Sequence, residues 1–351
     1  MEGGSLLVAF LVLMAASVAA ASPSPPQILV VNSGRIDYDG AIDWHVLGEK
    51  VVTHAKDPRG DGDFIERLET CPQAVEVIVT KEIPVSAAVV RRLPKSVKLL
   101  VEAGTGYNNI ALDECRKRGI IVMNVPAYSS DSVATLVMTF LLNLSSSLHR
   151  QLRRLGRGDR ADFVQHLQNP HFELRGKTLG LVGGTGGIGS RVKEFARAFG
   201  MRVLISTRRL REDEDGGLVS YTDSLTQLLS ESDFVSLHCP LNEATRNLID
   251  AEALRAMKPT AFLINTARGG LCDEEALIQA LQDGTIAGAA LDVQVEEPPG
   301  ENSPLYTLEN VIITPHIGWK RKETREALVA RVAENIVGFC EGDPQNVVSG
   351  K

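Results

Sequence analysis

A chain of 351 residues has room for about two domains. Its apolar and charged shares, 44% and 23%, are those of an ordinary globular protein and exclude a disordered or fibrous chain. A net charge of −7 argues against a nucleic-acid partner. The five cysteines are scattered, odd in number and lack metal-ligand spacing, so they read as free thiols of a reducing compartment, with no metal site.

The N-terminus disagrees with that compartment. Leu6 to Ala21 is almost wholly apolar, and Ala19-Ala20-Ala21 offers small residues for cleavage before Ser22. A positive flank is missing, and the run is short for a membrane span, so an uncleaved anchor or a mis-called start stays open beside secretory or organellar targeting. Residues 22–27, SPSPPQ, form a linker, which makes 1–27 a targeting segment and linker.

From Ile28 the chain alternates. The runs 28–33, 75–80, 99–104 and 120–125 are strand-like, with helical stretches such as Ala111 to Arg118 between them. Ser130 to Leu155 is predicted as one long connecting helix, capped by Ser130 or Asp131, with Val133, Leu136, Val137, Phe140, Leu141, Leu144 and Leu148 on its apolar face. Its Thr, Asn and Ser residues argue against a membrane helix. A second series follows with strands at 178–183, 202–207, 234–239, 261–266, 287–292 and 311–316. Glu323 to Phe339 is an amphipathic helix returning to the first domain. Such alternation predicts an α/β chain of two doubly wound parallel-sheet, Rossmann-like domains.

The second series opens on GKTLGLVGGTGGIG (176–189), in which Gly184, Gly186 and Gly189 fit G-x-G-x-x-G between a strand and a helix. Glycines allow a tight turn, let a pyrophosphate approach the backbone and set it on a helix N-terminus. One residue more than the common spacing is present, so Gly183 can equally be the first glycine. Ligands of such sheets lie beyond the carboxyl ends of the strands. Thr207, His238, Thr266, Arg268, Asp292 and His316 all fall at such ends.

Together with VEAGTGYNNI (101–110), NVPAYSSDSVA (124–134), LHCPLNEAT (237–245), the segment 257–277, LDVQVEEP (291–298) and TPHIGW (314–319), these features resemble the D-isomer-specific 2-hydroxyacid dehydrogenase family. The TGYNN loop, Trp319 and PQNVV (344–348) look most like its glycerate dehydrogenase (hydroxypyruvate or glyoxylate reductase) branch. The resemblance implies a substrate-binding domain at 28–125 and 317–351, a dinucleotide-binding domain at 126–316, and a cleft between them. It implies Arg268, Glu297 and His316 as the catalytic set. It implies cofactor contacts at Gly184, Gly186, Gly187, Ile188, Gly189, His238, Pro240, Thr266, Ala267 and Asp292, and substrate contacts at Thr105, Gly106 and Arg268; Thr207, Arg208 and Arg209 join the cofactor contacts through their own chemistry, where the sequence departs from the family pattern. Asp292 can alternatively cap the loop that follows it. A homodimer through the connector helix is the family expectation.

The chemistry of the set stands independently. A guanidinium holds a carboxylate and polarises a carbonyl with its planar fork. A histidine donates a proton near neutral pH, and a neighbouring carboxylate favours its charged form. At the end of the second strand, where an acid would accept the ribose 2′-hydroxyl of NAD, stand Ser206-Thr207 followed by Arg208 and Arg209. Hydroxyls and guanidiniums suit a 2′-phosphate, so NADP is expected, with NAD as the alternative; a solvated basic loop beside Glu212, Asp213, Glu214 and Asp215 is the blander reading. The expected activity is reduction of a small 2-oxo acid to its D-2-hydroxy acid. Phosphoglycerate or formate dehydrogenase activity, or a dinucleotide-sensing corepressor-type module, are the alternatives.

Overall fold

The computed structural model describes residues 25–164 and 169–350. The targeting segment 1–21 and the start of the linker lie outside the described residues. Contacts divide the chain into two units, one of residues up to Tyr128 with Lys320 onward, the other Ser129–Trp319.

The first unit holds five parallel strands in the order β2-β1-β3-β4-β5. They are β1 (Ile28–Val30), β2 (Val51–Thr53), β3 (Val77–Thr80), β4 (Leu99–Glu102) and β5 (Ile121–Met123). Helices α1 (Asp61–Glu69), α2 (Ala87–Arg92) and α3 (Leu112–Lys117) connect them. Strands β1, β3 and β4 are buried on both faces, as expected for apolar runs covered by crossover helices. Strand β2 is a fifth strand beyond the four predicted. It is three residues long and at the sheet edge, so its VVT carries too little apolar signal to stand out.

The second unit begins with α4 (Ser130–Ser146) and α5 (Leu148–Gly156). The predicted single helix is therefore broken: the two axes bend by 65° at Ser147, which adopts a left-handed φ of 49°. Ser147 Oγ donates to Pro170 O at 2.5 Å, and Asn143 Oδ1 accepts from His149 N, which anchors the break. The expected caps are also corrected. The helix starts at Ser130 itself, and Asp131 lies in its first turn, paired with Arg191, where a carboxylate opposes the helix dipole. Among the described residues no single helix is long and apolar enough to cross a membrane.

Seven parallel strands follow in the order β12-β11-β10-β9-β6-β7-β8. They are β6 (Thr178–Val182), β7 (Arg202–Ser206), β8 (Val219–Thr222), β9 (Phe234–Leu237), β10 (Phe262–Asn265), β11 (Gly288–Leu291) and β12 (Val311–Ile313). Strand β8, an edge strand after Gly216-Gly217, was not among the six predicted. The helices are α6 (Gly187–Ala198), α7 (Leu225–Glu231), α8 (Ala251–Ala256) and α9 (Glu274–Gln282), the last three capped by Ser224, Asp250 and Asp273. Strand order reverses between β6 and β9, which makes the crevice above their carboxyl ends the ligand position of such a sheet. In the first unit the reversal falls between β1 and β3. Helix α10 (Lys322–Cys340) completes the first unit.

Candidate active site

The glycine segment forms the turn between β6 and α6. Gly183 is the residue with positive φ, 81°, and a Cβ there would come within 2.8 Å of Cys239 N. A Cβ on Gly189 would meet Gly184 Cα at 2.5 Å, so this pair lets the helix pack onto the turn. Gly186 precedes the helix, and a Cβ there would make only an ordinary contact with Gly183 O at 3.6 Å. The tight-turn role thus falls on Gly183, the alternative first glycine, and Gly184 serves packing. The amides of Gly187, Ile188 and Gly189 have no backbone partner among the described residues; Ser190 N is the first to find one, at Gly186 O. These open donors at a twelve-residue helix suit a pyrophosphate.

Among the described residues, several buried polar atoms have no hydrogen-bond partner: Ser236 Oγ within β9, both ring nitrogens of His238 just after it and Thr266 Oγ1 just after β10. Burial pushes the His238 imidazole down to about 4, so the ring is neutral and offers one donor and one acceptor. Unpaired groups of this kind are costly unless a ligand meets them. Pro240 is exposed, with its carbonyl taken by Thr245 Oγ1. The arrangement fits a bound dinucleotide.

At the end of β7, Thr207 Oγ1 accepts from Arg209 N at 3.3 Å. Arg208 and Arg209 are exposed, and neither forms an ion pair among the described residues. Two of the four neighbouring acids are engaged elsewhere, Glu214 with Lys193 and Tyr221 and Asp215 with Arg197.

Strands β10, β11 and β12 lie side by side, pairing Asn265 with Leu291 and Leu291 with Ile313. Their carboxyl ends bring three loops together. Arg268 follows β10 in extended conformation; Asn265 Nδ2 donates to its carbonyl at 2.8 Å and Asn265 Oδ1 accepts from Ala267 N. Gly269 beside it is obligatory, since a Cβ would fall 1.9 Å from Gln294 C. Among the described residues the Arg268 guanidinium makes one hydrogen bond, to Ala267 O at 2.7 Å, and leaves most of its five donors for a ligand.

His316 Nδ1 lies 2.8 Å from Glu297 Oε2, while Glu297 Oε1 accepts from Gln294 N at 3.1 Å. The carboxylate fixes the ring's tilt and stabilises an imidazolium. His316 has a left-handed φ of 50°, imposed by the turn 314–318. That turn is pinned by buried Asp292, whose carboxylate accepts from Thr314 Oγ1 at 2.6 Å, Ile317 N at 2.8 Å and Gly318 N at 2.9 Å. Burial raises the Asp292 carboxyl above its ordinary range, against the pull of those three donors. Asp292, expected as a nicotinamide contact, also holds the histidine's turn. Gly318 is needed because a Cβ would meet Asp292 Oδ2 at 2.9 Å. Gly183 was expected as the alternative first glycine; Gly269 and Gly318 were not singled out, although both lie inside the motifs at 257–277 and 314–319.

In the first unit, the turn after β4 presents Thr105 and Gly106. Asn124 Nδ2 donates to Thr105 O at 2.7 Å, and Thr105 Oγ1 donates to Val125 O at 3.1 Å. The Thr105 and Gly106 amides have no backbone partner among the described residues. No group of three His, Cys, Asp or Glu side chains that could hold a metal occurs among the described residues.

The fold and these loops define a dinucleotide-binding oxidoreductase. The profile described as "D-isomer specific 2-hydroxyacid dehydrogenase, NAD binding domain" matches residues 138–318. The chain is 38% identical over 287 residues to a glyoxylate reductase of Korarchaeum cryptofilum, covering 82% of this chain and 85% of that one. It is 37% identical over 290 residues to a glycerate dehydrogenase of Methylorubrum extorquens, covering 82% and 88%. Among solved structures, a D-lactate dehydrogenase of Aquifex aeolicus complexed with NAD and lactic acid superposes with a TM-score of 0.78 at 31% identity, covering 93% of this chain and all of that one. The chain belongs to the D-isomer specific 2-hydroxyacid dehydrogenase family. It is an NAD(P)-dependent oxidoreductase of the CH–OH group, with a nicotinamide dinucleotide as cofactor.

Proposed function

We propose that the protein reduces hydroxypyruvate or glyoxylate to the D-2-hydroxy acid and prefers NADPH. The observation that carries the reaction is the 2.8 Å contact between His316 Nδ1 and Glu297 Oε2. It commits Nδ1 to the carboxylate and orients the ring for Nε2 to give a proton to the substrate's carbonyl oxygen. The Arg268 fork binds the substrate carboxylate and polarises the carbonyl. In the first unit, the open amides of Thr105 and Gly106 are read as donors to a substrate carboxylate. The bound nicotinamide supplies the hydride. Gly183 to Gly189 would hold the pyrophosphate, and Thr207, His238, Pro240, Thr266, Ala267 and Asp292 the rest of the cofactor. The free guanidiniums of Arg208 and Arg209 support a 2′-phosphate.

The same reading includes a homodimer. Its support is α5, which buries none of its residues and leaves Leu148, Leu152 and Leu155 exposed at helical spacing.

The test is a set of initial rates with hydroxypyruvate and glyoxylate, each with NADPH and NADH, for the unaltered protein and an Arg208→Ala/Arg209→Ala variant. Turnover with either acid, faster with NADPH, is expected, and the variant should raise KM for NADPH at least tenfold more than KM for NADH. Equal effects on both cofactors overturn the phosphate pocket; no turnover with either acid overturns the reductase reading.

A further inference from the structure

Below the turn that carries Thr105 and Gly106 lies a buried polar cluster that the reaction as described does not use. It gathers at the carboxyl ends of β1, β3 and β4, beside the strand-order reversal of the first sheet. Lys81 and Glu102 are at 1% and 0% exposure, values that unpaired charges do not tolerate. Lys81 Nζ contacts Glu82 Oε1 at 2.8 Å and Tyr128 OH at 3.3 Å. Glu102 accepts from Thr80 Oγ1 at 2.9 Å, Glu82 N at 2.8 Å and Asn109 Nδ2 at 3.2 Å. Asn109 belongs to the same TGYNN segment, so Glu102 stitches both ends of that loop to β3. The space a side chain on Gly104 would need is occupied by Lys81 Nζ at 3.2 Å and Glu102 Oε1 at 3.5 Å. The ammonium and the carboxylate thus sit directly against the backbone that turns into Thr105.

We propose that Lys81 and Glu102 set the affinity of the Thr105–Gly106 turn for the substrate carboxylate, Lys81 as its buried counter-cation and Glu102 as the opposing charge. This inference rests on the reading of that turn as the carboxylate site.

The charges around the turn can be summed by sign. Lys81 faces Glu82, which also lies 3.9 Å from Arg35, and Arg35 pairs with Asp57 at 2.6 Å. Arg67, buried beside Asp57, pairs with Asp63 at 2.9 Å, so among the described residues three cations balance three anions. Asn32 Nδ2 bridges to Asp57 and to Lys81 O, tying the pairs together. Tyr128 is neutral, its hydroxyl pushed up by burial against the pull of Lys81. Burial lowers the Lys81 ammonium, but Glu82, Tyr128 and Glu102 outweigh it and the net direction is up, so it stays charged. Glu102 then decides the sign of the whole cluster. Burial raises it to about 6, against Lys81 and its three donors. Below that pH the cluster is neutral and above it carries one net negative charge. An arriving carboxylate is bound more tightly on the acid side. At the short range and low dielectric of a buried site one charge is worth about a tenfold or larger change in affinity.

The experiment uses the full chain, Lys81→Met and Glu102→Gln. Steady-state rates at saturating NADPH give KM and kcat for glyoxylate. Oxamate, an unreduced isostere of a 2-oxo acid, gives an inhibition constant from pH 5 to 8. Lys81→Met should raise KM at least tenfold with kcat within about threefold. Glu102→Gln should bind oxamate at least as tightly as the unaltered protein and lose the several-fold weakening through pH 6. The difference between the two profiles is read, so that ionisations common to both proteins cancel. A loss of folding in Lys81→Met leaves the decision to Glu102→Gln, where simple damage would weaken binding instead. Parallel pH profiles, or an unchanged KM in folded Lys81→Met, overturn the inference while leaving the reductase reading intact. Absence of turnover in the unaltered protein overturns both.

Discussion

Asp292 shows how a single residue can serve the reaction through another. Its buried carboxylate accepts one hydroxyl and two backbone N–H groups from the turn that carries His316. Asp292→Ala would orphan the three donors, each costing about 1–3 kcal/mol if left unsatisfied. The expected result is a lower midpoint in urea unfolding together with a fall in kcat of at least tenfold, because the left-handed His316 backbone loses its anchor. Unchanged kcat in folded Asp292→Ala would show that the turn holds itself. Gly269 and Gly318 belong to the same scale: each is small because a neighbouring loop occupies the place of its side chain.

At the scale of elements, the second sheet is centred on β9 and β10. Phe234 is fully buried, its ring 5.4 Å from Phe262 and 6.0 Å from Phe172. Truncating it removes both aromatic neighbours and leaves a cavity under the strand that ends in His238. Phe234→Ala should cost about 3–5 kcal/mol in urea unfolding, and Phe234→Leu markedly less. Equal costs for both would mean that the core refills the space. The strands were legible where they are apolar runs covered on both faces, as in VIVT (77–80) and FLIN (262–265). Edge strands β2 and β8 were not, because half-exposed three- and four-residue stretches carry little periodic signal. The helix break at Ser147 was hidden for a related reason: periodicity continues across it, and tertiary contacts such as that with Pro170 hold the turn.

For the whole molecule, the exposed leucines of α5 bear on assembly. Leu152 is 58% exposed and Leu148 48%, on a helix that buries nothing within the unit. Sedimentation should give a particle of about twice the 37.9 kDa chain. Leu152→Glu should shift it toward the single-chain mass without loss of helical signal; a monomer in the unaltered protein sinks the dimer.

The sequence by itself determined the class of protein. Glycines at a strand–helix junction, and Arg268, Glu297 and His316 in their motifs, are local features whose chemistry is written in residue type and spacing. Strand ends were legible too, because a polar residue closing an apolar run marks where a buried strand meets solvent. The tertiary structure alone decided how those residues are shared out. It assigned the tight turn to Gly183, which has a φ of 81° and whose missing Cβ makes room for Cys239 after β9. It turned Asp292 toward the 314–318 turn. It brought Lys81, Glu102 and Tyr128 together beneath one loop, although they stand 21 and 26 residues apart along the chain. Contacts of that kind depend on parallel strands laying their carboxyl ends side by side, and sheet order is set by packing between elements rather than by any stretch of sequence within one.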